Sequence, residues 1–195
     1  MKKKITSIIA GFGLLCGVNL FGGDYSFDVE SLVGLEGGYT SFDVEKNAPN
    51  TAAQVVTYSD GMVGLKIGAQ TDSYRIFLSA RSYFVGADYD YFLTYGGEFQ
   101  YLFNFSKYAN FFIGVNGGLI DGRFKVAGES ETRTISDPYF GGDAGFNVHL
   151  GDTFDLELGA RVMATDAKNT RDNTTFKFDN LITGYASIIV RFAMD

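Results

Sequence analysis

The chain has 195 residues, with 16 Lys+Arg against 23 Asp+Glu, a net charge of −7, 25 glycines, two prolines, one cysteine and 16% aromatics, all Phe or Tyr. One domain fits that length, the acidity argues against a phosphate-neutralising nucleic-acid binder, and a lone cysteine leaves no disulfide framework or Cys/His metal spacing. Mean hydropathy near zero excludes a bundle of membrane helices, each needing about 20 consecutive apolar residues.

The first element is MKKK followed by ITSIIAGFGLLCGVNLFGG. Three lysines, an apolar stretch and small residues fit a secretory signal peptide over residues 1–23, cut near Gly22 or Gly23. An uncleaved anchor is the competing reading. A lipoprotein signal at Cys16 is another, set against by Leu15 where a small residue is normal. Loss of Lys2, Lys3 and Lys4 would make the remainder, residues 24–195, three charges more negative.

After the leader, period-two alternation predicts eight strands: 30–42, 61–70, 74–85, 92–104, 111–121, 139–150, 154–164 and 178–192. Short turns follow even-numbered segments, at 71–73, 105–110 and 151–153. Longer polar connections follow odd ones, at 43–60, 122–138 and 165–177; 86–91 is the brief exception. Pro49 falls in a connection and Pro138 at a strand start, where a missing donor does little harm. Glycine and aromatic enrichment over so many short segments favours an all-β closed sheet.

In FDLELGARVMA (154–164) the apolar Phe154, Leu156, Leu158, Ala160 and Val162 alternate with Asp155, Glu157 and Arg161. The same parity across all eight segments collects Glu30, Glu36, Lys66, Arg75, Arg81, Glu98, Asp143, His149, Asp155, Glu157, Arg161 and Arg191 on one face. The other face holds Val33, Leu35, Leu65, Ile67, Leu78, Val115, Phe146, Leu158, Ile188 and their like, without a charge. Glycine decides which face is inside. Ten strand glycines, Gly34, Gly64, Gly96, Gly118 and Gly141 among them, share the charged parity, against five on the apolar one (Gly37, Gly97, Gly117, Gly142, Gly184). A solvated exterior has no use for them, since each weakens a strand. The bore of an eight-stranded barrel is only wide enough for side chains, so small residues must sit beside long ones. The charges are therefore expected to point inward and the apolar side chains to face lipid. Aromatics near segment ends (Tyr39, Tyr74, Phe84, Tyr101, Phe103, Phe111, Tyr139, Phe140, Phe154, Phe192) are expected to form girdles at the two membrane boundaries.

Signal peptide, eight amphipathic segments, alternating short and long connections, and the final ITGYASIIVRF ending at Phe192 together resemble the small OmpA/OmpX-type outer-membrane β-barrels. The resemblance covers about 28–192 and rests on pattern, not on a motif. It implies a transmembrane, eight-stranded, antiparallel up-and-down β-barrel in the outer membrane of a Gram-negative bacterium, with short turns on the periplasmic side. It also implies outer-membrane lipids, lipopolysaccharide and the assembly machinery as partners. One departure is that Ala193, Met194 and Asp195 follow the aromatic on which the family usually ends, which puts its C-terminal assembly signal in doubt.

Charges sealed in a bore must be paired, so a lumen charge network is expected of Glu36, Lys66, Arg75, Arg81, Glu98, Asp143, Asp155, Glu157, Arg161 and Arg191. Mid-strand Glu36, Lys66, Arg81, Glu98 and Arg161 are the gate candidates if exchange of partners opens a pathway. The only histidine, His149, has lumen parity near a turn, with apolar neighbours Val148 and Leu150 and no nucleophile beside it. Asp155 and Glu157 lack a substrate groove, and no phosphate-binding glycine string or cofactor motif occurs. The expectation is a monomeric, non-enzymatic barrel with a structural or surface-contact role carried by 43–60, 122–138 and 165–177, without a cofactor. A small porin-like channel gated by lumen salt bridges is the alternative, and a lipid A-modifying enzyme a third reading.

Overall fold

The computed structural model describes residues 29–49, 52–86, 89–126, 131–171 and 173–193. The expected signal peptide and Cys16 lie outside them. The described residues form ten strands: β1 (Glu30–Asn47), β2 (Gln54–Gln70), β3 (Tyr74–Tyr83), β4 (Tyr89–Ser106), β5 (Ala109–Phe124), β6 (Arg133–His149), β7 (Phe154–Thr165), β8 (Lys168–Arg171), β9 (Thr174–Phe178) and β10 (Leu181–Ala193). Each of β1 to β6 pairs antiparallel with the next, β7 pairs with β10, and β10 pairs back onto β1 from Glu30↔Ala193 to Ser41↔Ile182. That last ladder closes an eight-stranded up-and-down barrel and leaves the waist without an edge.

Alternation decides which side chains fill it. Leu35, Leu65, Val115, Leu158 and Ile188 are exposed on the outside, while Glu36, Lys66, Arg81, Glu98, Asp155, Glu157 and Arg161 are buried in the bore. This inverts the polarity of a water-soluble protein and matches a wall built for lipid. The expected girdles are present. Tyr74, Tyr101, Phe103, Phe111 and Phe146 form a chain of ring contacts near the short-turn end, with centroids 4.7 to 5.9 Å apart. Tyr39, Phe84 and Phe140 stand exposed towards the other end. Tyr139 is a correction: it is only 3% exposed and packs inside, because its parity is that of Asp143 and not of Phe140.

Close approach explains the glycines. A Cβ on Gly96 would fall on the Gly117 carbonyl oxygen, and one on Gly118 on the Tyr95 carbonyl, so β4 and β5 curve together only without them. Tight reversal explains Gly151, whose φ of +89° sits in the turn between β6 and β7.

The long connections are shorter than their polar sequence suggests. Across 43–60, β1 and β2 stay paired up to Lys46↔Gln54, and across 122–138, β5 and β6 stay paired up to Phe124↔Arg133. A strand of about ten residues crosses the hydrocarbon. With 17 or 18 residues, β1, β2, β4 and β6 therefore overhang it, and there both faces carry polar groups, such as Thr57 donating to Asp43 at 2.7 Å. The hydrophobic contrast vanishes while the backbone ladder continues. Residues 165–177 likewise hold the β8–β9 hairpin. Phe178, expected to open the last strand, ends β9 instead, and β9 pairs with β1 from Asn47↔Thr175 to Val44↔Phe178. β1 thus changes partner, from β10 at the waist to β9 above it.

Candidate functional site

The bore is filled in two storeys. The polar storey occupies the waist and the short-turn end, where it is interleaved with the buried apolar side chains Leu32, Phe77, Leu102, Phe112 and Ile189. Glu36 from β1 accepts from Arg81 Nε of β3 at 2.7 Å and from Arg161 Nη1 of β7 at 2.9 Å, with Lys66 Nζ of β2 at 3.6 Å. Glu98 of β4 takes the other arms of the same two arginines, Arg161 at 3.2 Å and Arg81 in a short contact. Lys66 also bonds Glu157 at 2.6 Å, and Glu157 accepts from Arg75 at 2.8 Å. Arg75 continues to Asp155 at 3.5 Å, and Asp155 meets Arg191 at 3.2 Å and His149 Nδ1 at 2.7 Å. The residues from Glu36 to Arg191 are thereby one chain of contacts, joining strands that are not ladder neighbours by reaching across the bore.

Asp143 stands apart from that chain. Its carboxylate accepts from the amides of Gln100 at 2.7 Å and Asn116 at 3.4 Å, and no ion pair reaches it among the described residues. Arg191 differs in another way: it is half-buried at the short-turn end, where its guanidinium also donates to the Gly151 carbonyl at 2.8 Å. His149 Nε2 faces the Asn110 amide at 3.4 Å, so the His149–Asp155 pair has an amide where a hydroxyl nucleophile would be needed.

Above the ions the lumen turns apolar, against the expectation of a polar bore throughout. Phe42, Phe92 and Phe178 stack with centroids 5.3 to 6.4 Å apart and planes within 26° of parallel. Tyr83 meets Phe92 edge-on, and Phe124 meets Phe178. Met62, Ile120, Ile135, Tyr139, Met163 and Leu181 complete the cluster. The two storeys are joined by Arg161, whose guanidinium lies 4.4 Å from the centroid of the Tyr185 ring. These rings share lumen parity with the charges, and Phe42 ends a segment that alternation picks out. The missed signal was the switch from charged to aromatic at the same parity near each strand's outer end.

Arg133, also missed, is buried at the start of β6. It donates to the Thr174 carbonyl at 3.2 Å and to Asn169 Oδ1 at 3.3 Å, and packs 5.0 Å from the Phe176 ring. With Asn169 Nδ2 on the Thr134 carbonyl at 2.8 Å it fastens the β8–β9 hairpin to β6 through side chains, where no ladder joins them.

These features define a closed, eight-stranded barrel of the small outer-membrane type, with a filled bore and a paired overhang at one end. No family model and no curated protein sequence matches the chain. Solved structures do. The outer membrane protein OprG from Pseudomonas aeruginosa is similar at a TM-score of 0.58 and 14% identity, over 86% of this chain and 98% of that one. Neisserial surface protein A gives 0.55 and 13%, over 81% and 97%. The N-terminal β-barrel domain of Pseudomonas aeruginosa OprF gives 0.50 and 11%, over 83% and 97%. At such identities the likeness establishes the fold, and both the fold and the inverted polarity agree with the outer membrane as the place of this chain.

Proposed function

We propose that the chain is a non-enzymatic outer-membrane barrel that supports the envelope as a rigid wall-spanning element and offers its overhang as a contact surface. The observation that carries this reading is the double filling of the bore, ions below and stacked rings above, which supports a stiff plug over a conduit. In this reading the short turns face the periplasm and the overhang, with the β8–β9 hairpin, faces outward. Lipids and lipopolysaccharide cover the apolar belt, and the assembly machinery inserts it. The lumen network of Glu36, Lys66, Arg75, Arg81, Glu98, Asp155, Glu157, Arg161 and Arg191, with Asp143 beside it on the Gln100 and Asn116 amides, serves register and stiffness.

A gated channel is the second reading, favoured by one feature: Arg81 and Arg161 both contact Glu36 and Glu98, so cations and acids have partners to exchange. The aromatic storey lies in series with any such gate. Planar-bilayer recording separates the two. Silent wild-type protein and silent Arg81→Ala support the structural role. Steps in the wild type that Arg81→Ala alters would replace it with the channel.

A further inference from the structure

At the loop end, above the stacked phenylalanines, the overhang encloses a cleft of about 230 Å³. Four rings from four strands wall it: Tyr58 of β2, Tyr89 of β4, Phe124 of β5 and Phe176 of β9. Tyr58 and Tyr89 meet edge to face at 5.7 Å, Tyr89 and Phe124 are 5.6 Å apart, and Phe124 and Phe176 are 5.5 Å apart. Tyr58, Tyr89 and Phe176 are only partly buried, and they line the cleft where the barrel has already left the lipid. Such concave apolar surface with a few polar groups at its edge is the ordinary make-up of a small-molecule site.

Of the polar groups that line it beside the tyrosines, Gln54 is neutral and Lys46 and Lys125 are cationic. Lys46 Nζ lies 5.8 Å from the Phe176 centroid, and Lys125 also lines the cleft. Lys125 is paired with Asp90 at 3.2 Å, but both side chains are well exposed, and an exposed pair is worth about 0–1 kcal/mol. A carboxylate arriving with a ring attached can displace Asp90 at little cost while its body packs on the aromatic lining. The volume falls below the roughly 300–1,000 Å³ of drug-sized sites, which limits the occupant to one ring or a short chain.

We infer that this cleft binds a small aromatic carboxylate, ring against Tyr58, Tyr89, Phe124 and Phe176, and carboxylate between Lys46 and Lys125. Phenylacetate and its neutral isostere phenylacetamide are the probes, added to the barrel in lipid nanodiscs and followed by ligand-detected NMR and by fluorescence of the tyrosines, there being no tryptophan. Phenylacetate should bind saturably and phenylacetamide about tenfold more weakly, a factor worth about 1.4 kcal/mol. Lys46→Gln with Lys125→Gln should erase the difference, while Lys107→Gln at the opposite end keeps it. Phe176→Leu should weaken both probes. Every variant is first checked for the heat-modifiable folded band. Equal uptake of acid and amide in wild type and double variant, or no saturable binding at all, overturns the site without touching the structural role, which rests on the filled bore.

Discussion

Glu36 and Arg161 lie 125 positions apart in the chain and meet across the bore, Nη1 on Oε1 at 2.9 Å and Nη2 towards Oε2 at 3.3 Å. Arg81 shares the same Glu36 oxygen at 2.7 Å, and Lys66 approaches the other at 3.6 Å. One carboxylate therefore answers three cations. Replacing it by its amide in Glu36→Gln keeps the shape and leaves Arg81, Arg161 and Lys66 with Glu98 and Glu157 alone. Loss of one member of a buried pair costs roughly 3–5 kcal/mol. The urea midpoint of the folded band should fall accordingly, and Glu36→Gln with Arg161→Gln should recover part of the loss. An unchanged midpoint would mean that water, not Glu36, neutralises these cations.

The glycines give a paired test of orientation. Gly96→Val places atoms on the Gly117 carbonyl and within 2.7 Å of the Gly118 Cα, both backbone and unable to swing away. Its neighbour Gly97 faces outward, where the nearest atom to an added Cβ is the Phe77 carbonyl oxygen at 3.8 Å. Gly96→Val is expected to abolish the heat-modifiable band, and Gly97→Ala to refold like the wild type. Equal behaviour of the two would contradict the packing of β4 on β5.

Much of this architecture is legible in the sequence because one chemical contrast, charged and glycine-rich against apolar, repeats with period two wherever lipid lies outside. Asp155, Glu157 and Arg161 could be assigned to one face with Leu156, Leu158 and Val162 on the other before any contact was known. Legibility ends where the lipid does. In the overhang Asp43 and Thr57 form a cross-strand pair on the outer face, and Thr170 and Thr175 another in the hairpin. A polar residue there no longer marks a face, so a strand reads as a loop. The partners inside the bore are hidden for a different reason. Parity places Arg81, Arg161, Glu36 and Glu98 on one wall, but which acid meets which base depends on the heights fixed by the register between strands. Phe42, Phe92 and Phe178 come together from β1, β4 and β9, and only closure of the barrel sets them in one stack.

The lipid face can be tested directly at Leu65, which is 63% exposed and pairs with Leu35 in the stretch of β1 that also pairs with β10. An arginine near the bilayer midplane costs a membrane barrel roughly 2–4 kcal/mol, whereas an exposed site on a soluble sheet would accept it within a few tenths. Leu65→Arg should lower the stability of the barrel refolded into liposomes by that larger amount. The same change at Val55, exposed on the overhang of β2, should be near neutral. A neutral Leu65→Arg would place this belt in water.

The β8–β9 hairpin should open before the waist does. It is held on one side by the short ladder to β1 and on the other by side chains, Arg133 on the Thr174 carbonyl and Asn169 on the Thr134 carbonyl, and from beneath by Phe178 in the aromatic stack. None of these is a ladder bond to β6, β7 or β10, so the waist can stay closed while they break. Truncating a buried phenylalanine costs about 3–5 kcal/mol, which in Phe178→Ala falls mainly on the hairpin. Arg133→Ala should loosen the same unit by leaving the carbonyls of the β8–β9 turn without their donor. Both variants should be clipped by trypsin at Lys168, Arg171 or Lys177 at protease levels that spare the wild type, while keeping a heat-modifiable band. Asn173, at φ 59° in that turn, supplies the control, since Asn173→Gly accepts the same backbone and should leave the clipping rate as it was. If cleavage in Phe178→Ala instead appears only with loss of the folded band, the hairpin and the barrel unfold as one unit.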